Sequence, residues 1–258
     1  MTERKISVVI NTYNAEQYLP QVLDSVKDFD EVLVCDMEST DSTTKIAEEY
    51  GCRVTTFPKG NLRIVEPARN FAIHQALHPW VLVVDADELV PAQLRSYLYR
   101  HIQELDPPKG LMIPRRNRLM GRFMHGYYPD YNLRFFCQGN TTWPTYIHAQ
   151  PKVEGRVCHI PRRHKELAFD HLDDRSIHER MAKINLYTDY DSEKRRNRHY
   201  SNMAFIYRPL VRFLKCYILK GGFRDGVPGL LFASLEAVQQ FCILAKHYEW
   251  RMRNEDRK

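Results

Sequence analysis

Four apolar runs alternate with helix-period segments through the first ninety residues, and each is followed by a polar stretch. That order limits the possible fold more than any other feature of the 258-residue chain. Ile6-Ser7-Val8-Val9-Ile10 leads into Asn11-Thr12-Tyr13-Asn14. From Ala15 to Lys27, apolar residues recur at Tyr18, Leu19, Val22, Leu23 and Val26, which is helical spacing. A second run, Glu31 to Cys35, ends in Asp36. Ser39, Thr40 or Asp41 then caps a helix reaching about Tyr50, and a third strand, Arg53 to Phe57, follows Gly51. A further helix begins near Glu66 and carries Ala68, Phe71, Ala72 and Leu77. The fourth run, Val81-Leu82-Val83-Val84, stops at Asp85-Ala86-Asp87-Glu88. The order β-α-β-α-β-α-β predicts parallel strands joined by crossover helices. Ligands of such sheets bind at the strands' carboxyl ends, where every polar cluster falls.

The acidic end of the fourth run carries the clearest chemistry. Asp85 and Asp87 are two residues apart, so in an extended chain they share a face. Two hard oxygen ligands there suit Mg²⁺ or Mn²⁺ held together with a diphosphate. The plainer reading is a strand end turning into solvent ahead of a helix near Pro91. No G-x-G-x-x-G follows the first strand, and no G-x-x-x-x-G-K-[ST] occurs. Neither a dinucleotide oxidoreductase nor a P-loop enzyme is favoured.

Taken in order, Ser7-Val8-Val9-Ile10-Asn11-Thr12-Tyr13-Asn14, Val34-Cys35-Asp36 through Thr43, Arg69-Asn70-Phe71-Ala72 and Val83-Val84-Asp85-Ala86-Asp87-Glu88 resemble the motifs of the family 2 glycosyltransferases. The likeness continues through Ile113-Pro114-Arg115-Arg116-Asn117, Tyr128 to Phe136 and Leu219 to Gly226. These are similar to the bacterial branch with the lipopolysaccharide inner-core β-1,4-glucosyltransferases. The resemblance implies a GT-A fold: a Rossmann-like, mostly parallel sheet with helices on both faces. It implies an inverting hexosyltransferase that uses a UDP-sugar with Mg²⁺ or Mn²⁺. It assigns Thr12, Tyr13 and Asn14 to the nucleotide-binding loop, with Tyr13 packing on the base. Asp36 matches the acid contacting uridine, Arg69 the basic residue near the diphosphate and Asp85 the nucleotide-contacting acid. Asp87 matches the metal ligand, and His171 completes the metal shell or is an ordinary strand-end histidine. Relatives commonly place a Glu, the catalytic base, after the histidine of a Val-His-Glu segment. Here Tyr146-Ile147-His148-Ala149-Gln150 offers Ala149 instead. Asp130 is the leading substitute and His148 the second.

Composition fits such an enzyme. Hydrophobic residues make up 43% of the chain, enough for a large core. Six cysteines without C-x-x-C or metal-site spacing read as reduced, structural thiols of a cytosolic protein. The N-terminus lacks the apolar stretch of a signal peptide, and no uninterrupted apolar run reaches the length of a classical span. The net charge of +6 concentrates in Arg115, Arg116, Arg118 and Arg122, in Arg162 to Lys165, and in Lys194 to Arg198. The first two clusters flank the expected acceptor region and would attract an anionic glycan or glycolipid. No nucleic-acid recognition signature accompanies them.

The final third differs in character. Residues 205 to 219 place Arg208, Arg212 and Lys215 at i, i+4 and i+7, a basic stripe among aromatic and aliphatic residues. A glycine-rich break over 220–229 precedes a second apolar helix from Leu230 to Ala245. Two such helices fit a hairpin lying on the inner face of the cytoplasmic membrane, or a packed helical cap. The expected division is 1–100 for the nucleotide-sugar half, 101–200 for the acceptor half, and 201–258 for membrane association. The leading function is hexose transfer to a lipopolysaccharide-core or other envelope glycan. The alternatives are an inactive membrane-bound sugar-nucleotide-binding module and a nucleotidyltransferase. The latter would carry a glycine- and lysine-rich loop where Asn11-Thr12-Tyr13-Asn14 stands.

Overall fold

Strand β1 (Ile6–Thr12) runs through the core, with Val8 and Ile10 turned to one sheet face and Val9 to the other. Apolar residues at successive positions are what a strand covered on both faces requires. The computed structural model describes residues 4–60, 62, 65–144, 150–172 and 174–255. They form two compact units, Met1–Arg116 with Pro129–Leu172, and Asn117–Tyr128 with Asp173–Lys258.

In the first unit β1 is followed by α1 (Leu19–Val26), β2 (Glu31–Asp36), α2 (Thr43–Glu49), β3 (Arg53–Thr56), α3 (Glu66–Gln75) and β4 (Trp80–Asp85). Next come β5 (Glu88–Leu89), α4 (Ala92–Gln103), β6 (Gly110–Arg116), β7 (Asp130–Cys137), β8 (Val157–His159) and β9 (Phe169–His171). The sheet order is β3-β2-β1-β4-β7-β6-β9-β5, with β8 also paired to β6. Pairings among β1 to β4 are parallel, whereas β7 runs antiparallel to both β4 and β6. The expected mostly parallel sheet is present, with its antiparallel pairings in the second half. Leu19, Val22, Leu23, Leu94 and Leu98 of α1 and α4 pack on one face with Ile6, Val8, Ile10 and Leu82. Ala68, Ala72 and Ile73 of α3 cover the other with Val9, Leu33 and Val83.

Local differences from the expected elements have local causes. The helix expected from Ala15 begins at Leu19, with Pro20 in its first turn, where a missing N–H costs nothing. Helix α2 has no side-chain cap on its N-cap residue Ser42. Asp41 instead accepts from Thr43 N at 3.0 Å and Thr43 Oγ1 at 2.5 Å. Leu77 lies past the end of α3 and is exposed. All six cysteines are free thiols, and burial pushes Cys35 up to about 12.

The second unit holds a short hairpin (Arg118–Leu119 with Arg122–Phe123) and α5 (Ile177–Glu193), which opens on a Ser176–Glu179 capping box. Helix α6 (Ala204–Leu214) runs on through a wider turn at Lys215–Leu219, and α7 (Gly226–Glu255) packs against both α5 and α6. Helix α7 begins before the expected Leu230 and continues past Ala245. Gly222–Asn254 is, among the described residues, the one helical stretch long and apolar enough to cross a membrane, and most of it is unburied.

The basic stripe of α6 does not face outward as a unit. Lys215 is exposed, but Arg208 is half-buried with its guanidinium 4.9 Å from the Tyr200 ring. Arg212 Nε donates to Glu236 Oε2 of α7 at 2.7 Å. The outward positions are Met203, Ile206, Tyr207, Leu210, Val211, Leu214 and Ile218, an apolar stripe at helical spacing. The ion pair with α7 decides which face turns in.

Candidate active site

The carboxyl ends of β1, β2 and β4 lie side by side: Asn11 is in register with Cys35 and Asp85, and Thr12 with Asp36. Thr12 Oγ1 donates to Asp36 Oδ1 at 2.8 Å, and Ser39 adds N at 2.8 Å and Oγ at 2.5 Å to the same carboxylate. Asn14 sits at a φ of 48°, a left-handed position that asparagine tolerates. Its Oδ1 accepts from Thr40 N at 2.8 Å, and its N donates to Ser39 Oγ at 2.9 Å. Asp36 and Asn14 thus fasten the loop after β1 to the loop after β2. Tyr13, carried between them, is 46% exposed, with the Lys59 ammonium 4.4 Å from its ring centroid.

Asp85 and Asp87 take different partners. Strand β4 ends at Asp85, and the chain turns at Ala86 and Asp87, so the extended alternation behind the shared-face expectation stops between them. Asp85 accepts from Arg69 Nη2 and Arg134 Nη2, with Arg115 Nη1 at 4.0 Å. Glu88, fully buried, accepts Asp85 N at 3.1 Å and Arg115 Nη1 at 3.0 Å. Arg115 gives Nε at 2.9 Å and Nη2 at 2.7 Å to Asp130 Oδ2. Burial alone would raise the Asp85 carboxyl; Arg134, then Arg69 and Arg115, overcome it and hold Asp85 well below the usual carboxylate range. The Arg69 guanidinium also lies 5.1 Å from the Trp143 ring.

Asp87 takes a different partner. Strand β9 pairs antiparallel with β5, setting His171 opposite Glu88, and Leu172 N donates to Asp87 O at 2.8 Å. His171 Nε2 then stands 3.3 Å from Asp87 Oδ2. A carboxylate oxygen converging with an imidazole nitrogen, 84 residues further along the chain, fits a divalent ion that draws its other ligands from a diphosphate and water. Among the described residues no group of three or more His, Cys, Asp or Glu forms a fuller cage.

The structure therefore gathers Thr12, Tyr13, Asn14, Asp36, Arg69, Asp85, Asp87, Asp130 and His171 in one unit. His148 and Ala149 lie outside the described residues. Asp130 is held by Arg115, not by Arg134, which belongs to Asp85. Arg116 meets Asp170 at 3.2 Å. Sequence reasoning missed Glu88 and the roles of Arg115 and Arg134. The available signal was a charge inside the apolar strand Leu133-Arg134-Phe135-Phe136, which calls for a buried counter-charge.

A sheet with this topology, its acids at the strand ends, defines the class: a nucleotide-binding α/β protein of the GT-A fold. A mannosyltransferase from Pyrobaculum calidifontis, solved with GDP-Man and Mn²⁺, superposes with a TM-score of 0.58 at 16% identity, over 95% of this chain and 87% of that one. Staphylococcus aureus TarS (residues 1–349) superposes with a TM-score of 0.50 at 17% identity, over 96% and 91%. At such identities the likeness is one of fold. The sequence profile of glycosyl transferase family 2 matches residues 7–142, more than half of the chain, and the protein belongs to that family. It is 28% identical to the lipopolysaccharide core biosynthesis glycosyltransferase LpsC of Rhizobium meliloti, over 95% of this chain and 92% of LpsC. It is also 28% identical to an uncharacterized glycosyltransferase of Rickettsia conorii, over 98% and 93%.

The arginine cage makes stability depend on pH in a defined direction. An unfolded Asp titrates near 4, and the folded Asp85 titrates lower. The stabilisation is complete above about pH 4 and drains away as pH falls toward the folded value. Asp85→Asn leaves Arg69 and Arg134 without their acid, and should cost about 3–5 kcal/mol at neutral pH. Urea unfolding from pH 7 down to about 2.5 should show the gap between wild type and Asp85→Asn narrowing at the acid end. A gap of constant size would contradict the cage.

Proposed function

We propose that the chain moves a hexose, with inversion, from a UDP-sugar to a lipopolysaccharide-core or related envelope glycan. The observation that carries this reading is the Asp87–His171 pair, set at the strand ends beside the loop of Thr12, Tyr13 and Asn14. The identity to LpsC along nearly the whole chain supports the acceptor class. The Mn²⁺ and GDP-Man of the Pyrobaculum enzyme are a precedent on the same fold for donor chemistry with a metal.

Asp87 and His171 would hold Mg²⁺ or Mn²⁺, whose contribution is to offset charge gathering on the departing diphosphate. The rest falls to the chain's own groups. Tyr13 offers its ring to the base, while Asp36 holds the Tyr13 loop in place. Asp85 and Arg69 form the wall at the diphosphate end. As the acceptor oxygen bonds to the anomeric carbon, the bond from that carbon to the diphosphate breaks and the hydroxyl proton leaves. Asp130 is the proposed taker of that proton. Its Oδ2 accepts from Arg115 Nε at 2.9 Å and Nη2 at 2.7 Å, which sets a carboxylate, the group a general base of this kind uses, in a fixed orientation.

Calorimetry with UDP and Mn²⁺ tests the donor site: Asp87→Ala should abolish the metal-dependent part of UDP binding. Equal affinity with and without Mn²⁺ in wild type would refute it. Asp130→Asn should lower transfer by about 10²-fold or more while UDP binding stays as it was. Transfer near the wild-type rate would remove Asp130 from the role of base.

We also place the protein peripherally on the inner face of the cytoplasmic membrane. The support is the outward apolar stripe of α6, continued by Leu219 at 81% and Val227 at 67% exposure. Each fully buried side chain of this kind contributes about 1.5–3 kcal/mol on leaving water. Because Arg208 and Arg212 turn inward, apolar burial dominates this attachment over charge. In vesicle flotation, replacing Ile206, Leu210 and Leu214 by Glu should abolish binding, and replacing Arg208 by Ala should change it little. Wild type that fails to float with anionic or neutral vesicles would show the stripe to be a protein–protein surface.

A further inference from the structure

The motif Lys220-Gly221-Gly222-Phe223-Arg224-Asp225-Gly226 has no part in the donor chemistry above. In the second unit its acid, Asp225, has a side chain only 2% exposed and serves one short loop. Asp225 Oδ1 accepts from His125 N at 2.9 Å and meets His125 Nδ1 at 2.7 Å, and Oδ2 accepts from Gly126 N at 2.9 Å. A carboxylate only accepts, so Nδ1 carries a proton. In the neutral ring Nε2 is then the acceptor. The His125 side chain is 50% exposed, so the loop presents an oriented acceptor nitrogen rather than a freely turning ring. Phe123 lies edge-on to His125 at 4.8 Å, and Tyr128 edge-on to Phe123 at 5.6 Å.

Backbone packing builds this arrangement. A Cβ on Gly126 would come within 2.7 Å of Gly222 Cα, and one on Gly229 within 1.9 Å of Gly222 O. Three stretches of main chain touch with no side chain between them, and the contact delivers Asp225 to the His125 loop. A half-exposed histidine contributes little to a core. Yet it has a buried acid, two backbone hydrogen bonds to its loop and three apposed glycines holding it in one orientation.

We propose that this loop is a saccharide-binding site in the second unit. His125 Nε2 accepts a hydrogen bond from a pyranose hydroxyl, and Phe123 lies against the apolar C–H face of the same ring. A sugar offers donors around its edge and a hydrocarbon face, and an aromatic body beside an aimed acceptor complements both. The ligand is a pyranose of the acceptor glycan, which rests on the transferase reading above.

Calorimetric titration of the full chain with de-O-acylated lipopolysaccharide core oligosaccharide tests the site, with UDP and Mn²⁺ titrated in parallel. Wild type should bind the oligosaccharide, and His125→Ala, Phe123→Leu and Asp225→Asn should each weaken it at least tenfold, with UDP affinity unchanged. His125→Ala removes a half-exposed ring and keeps the test open if Asp225→Asn fails to fold. Affinity within twofold of wild type in folded His125→Ala overturns the proposal, and so does wild type that does not bind the oligosaccharide. In either case intact UDP–Mn²⁺ binding leaves the transferase reading standing, whereas its loss would count against that reading separately.

Discussion

Asp85 stays ionised in a largely buried position because Arg69 and Arg134 grip its oxygens and Arg115 stands behind them. Taking such a charge out of water costs several kcal/mol, so the strand end exists in this form only with its counter-charges in place. Those arginines come from α3, which covers one face of the sheet, and from β7 and β6, the two strands that follow β4 in the sheet order. Glu88 and Asp130 balance Arg115 in turn, so three guanidinium groups meet three carboxylates. The network ties the antiparallel half of the sheet to the parallel half at the edge where the polar loops converge. With Asp85 held, the turn through Ala86 has a fixed start, and β9 can bring His171 to Asp87. The two acids of the motif therefore take different partners: one is gripped by arginines, and the other stands beside His171.

Much of the first unit was legible from residue patterns. The alternation of apolar runs and helical spacing located β1 to β4 within a residue or two, because a doubly covered sheet leaves few other ways to arrange such runs. The strand-end clusters were legible for the same reason, since parallel order puts every carboxyl end on one edge. Partner choice was not legible. Arg115 read as one member of a basic cluster beside the acceptor region, and Arg134 had no partner outside its own strand assigned to it. Their real partners lie 27 and 49 residues away along the chain, and only the antiparallel registers of β7 bring them together. The shared face of Asp85 and Asp87 failed because a strand's period of two ends where the strand ends.

The second unit shows why periodicity alone does not tell a helix which way to turn. In α6 the arginines and the aliphatic residues both repeat at helical spacing, on different faces. Hydrophobicity alone would bury the aliphatic face. Glu236 on α7 reverses that choice for Arg212, because an acid half-sequestered between helices needs a cation more than the neighbouring face needs another leucine. The aliphatic face is then left outward, where only another apolar phase can cover it.

That inversion bears on what kind of acceptor the enzyme serves. A soluble sugar would need nothing from an exposed stripe running from Met203 to Ile218, and such a surface is a solubility liability. A glycolipid acceptor is confined to a membrane surface, and an enzyme held at that surface meets it in two dimensions rather than three. The same unit that exposes the stripe also carries the His125 loop, held by Asp225 and the apposed glycines. On the proposed reading, attachment and acceptor recognition are properties of one folded unit, and the donor chemistry of the other. Changes to the stripe should act on how often acceptor is met, while changes to the cage around Asp85 act on whether the strand ends form at all.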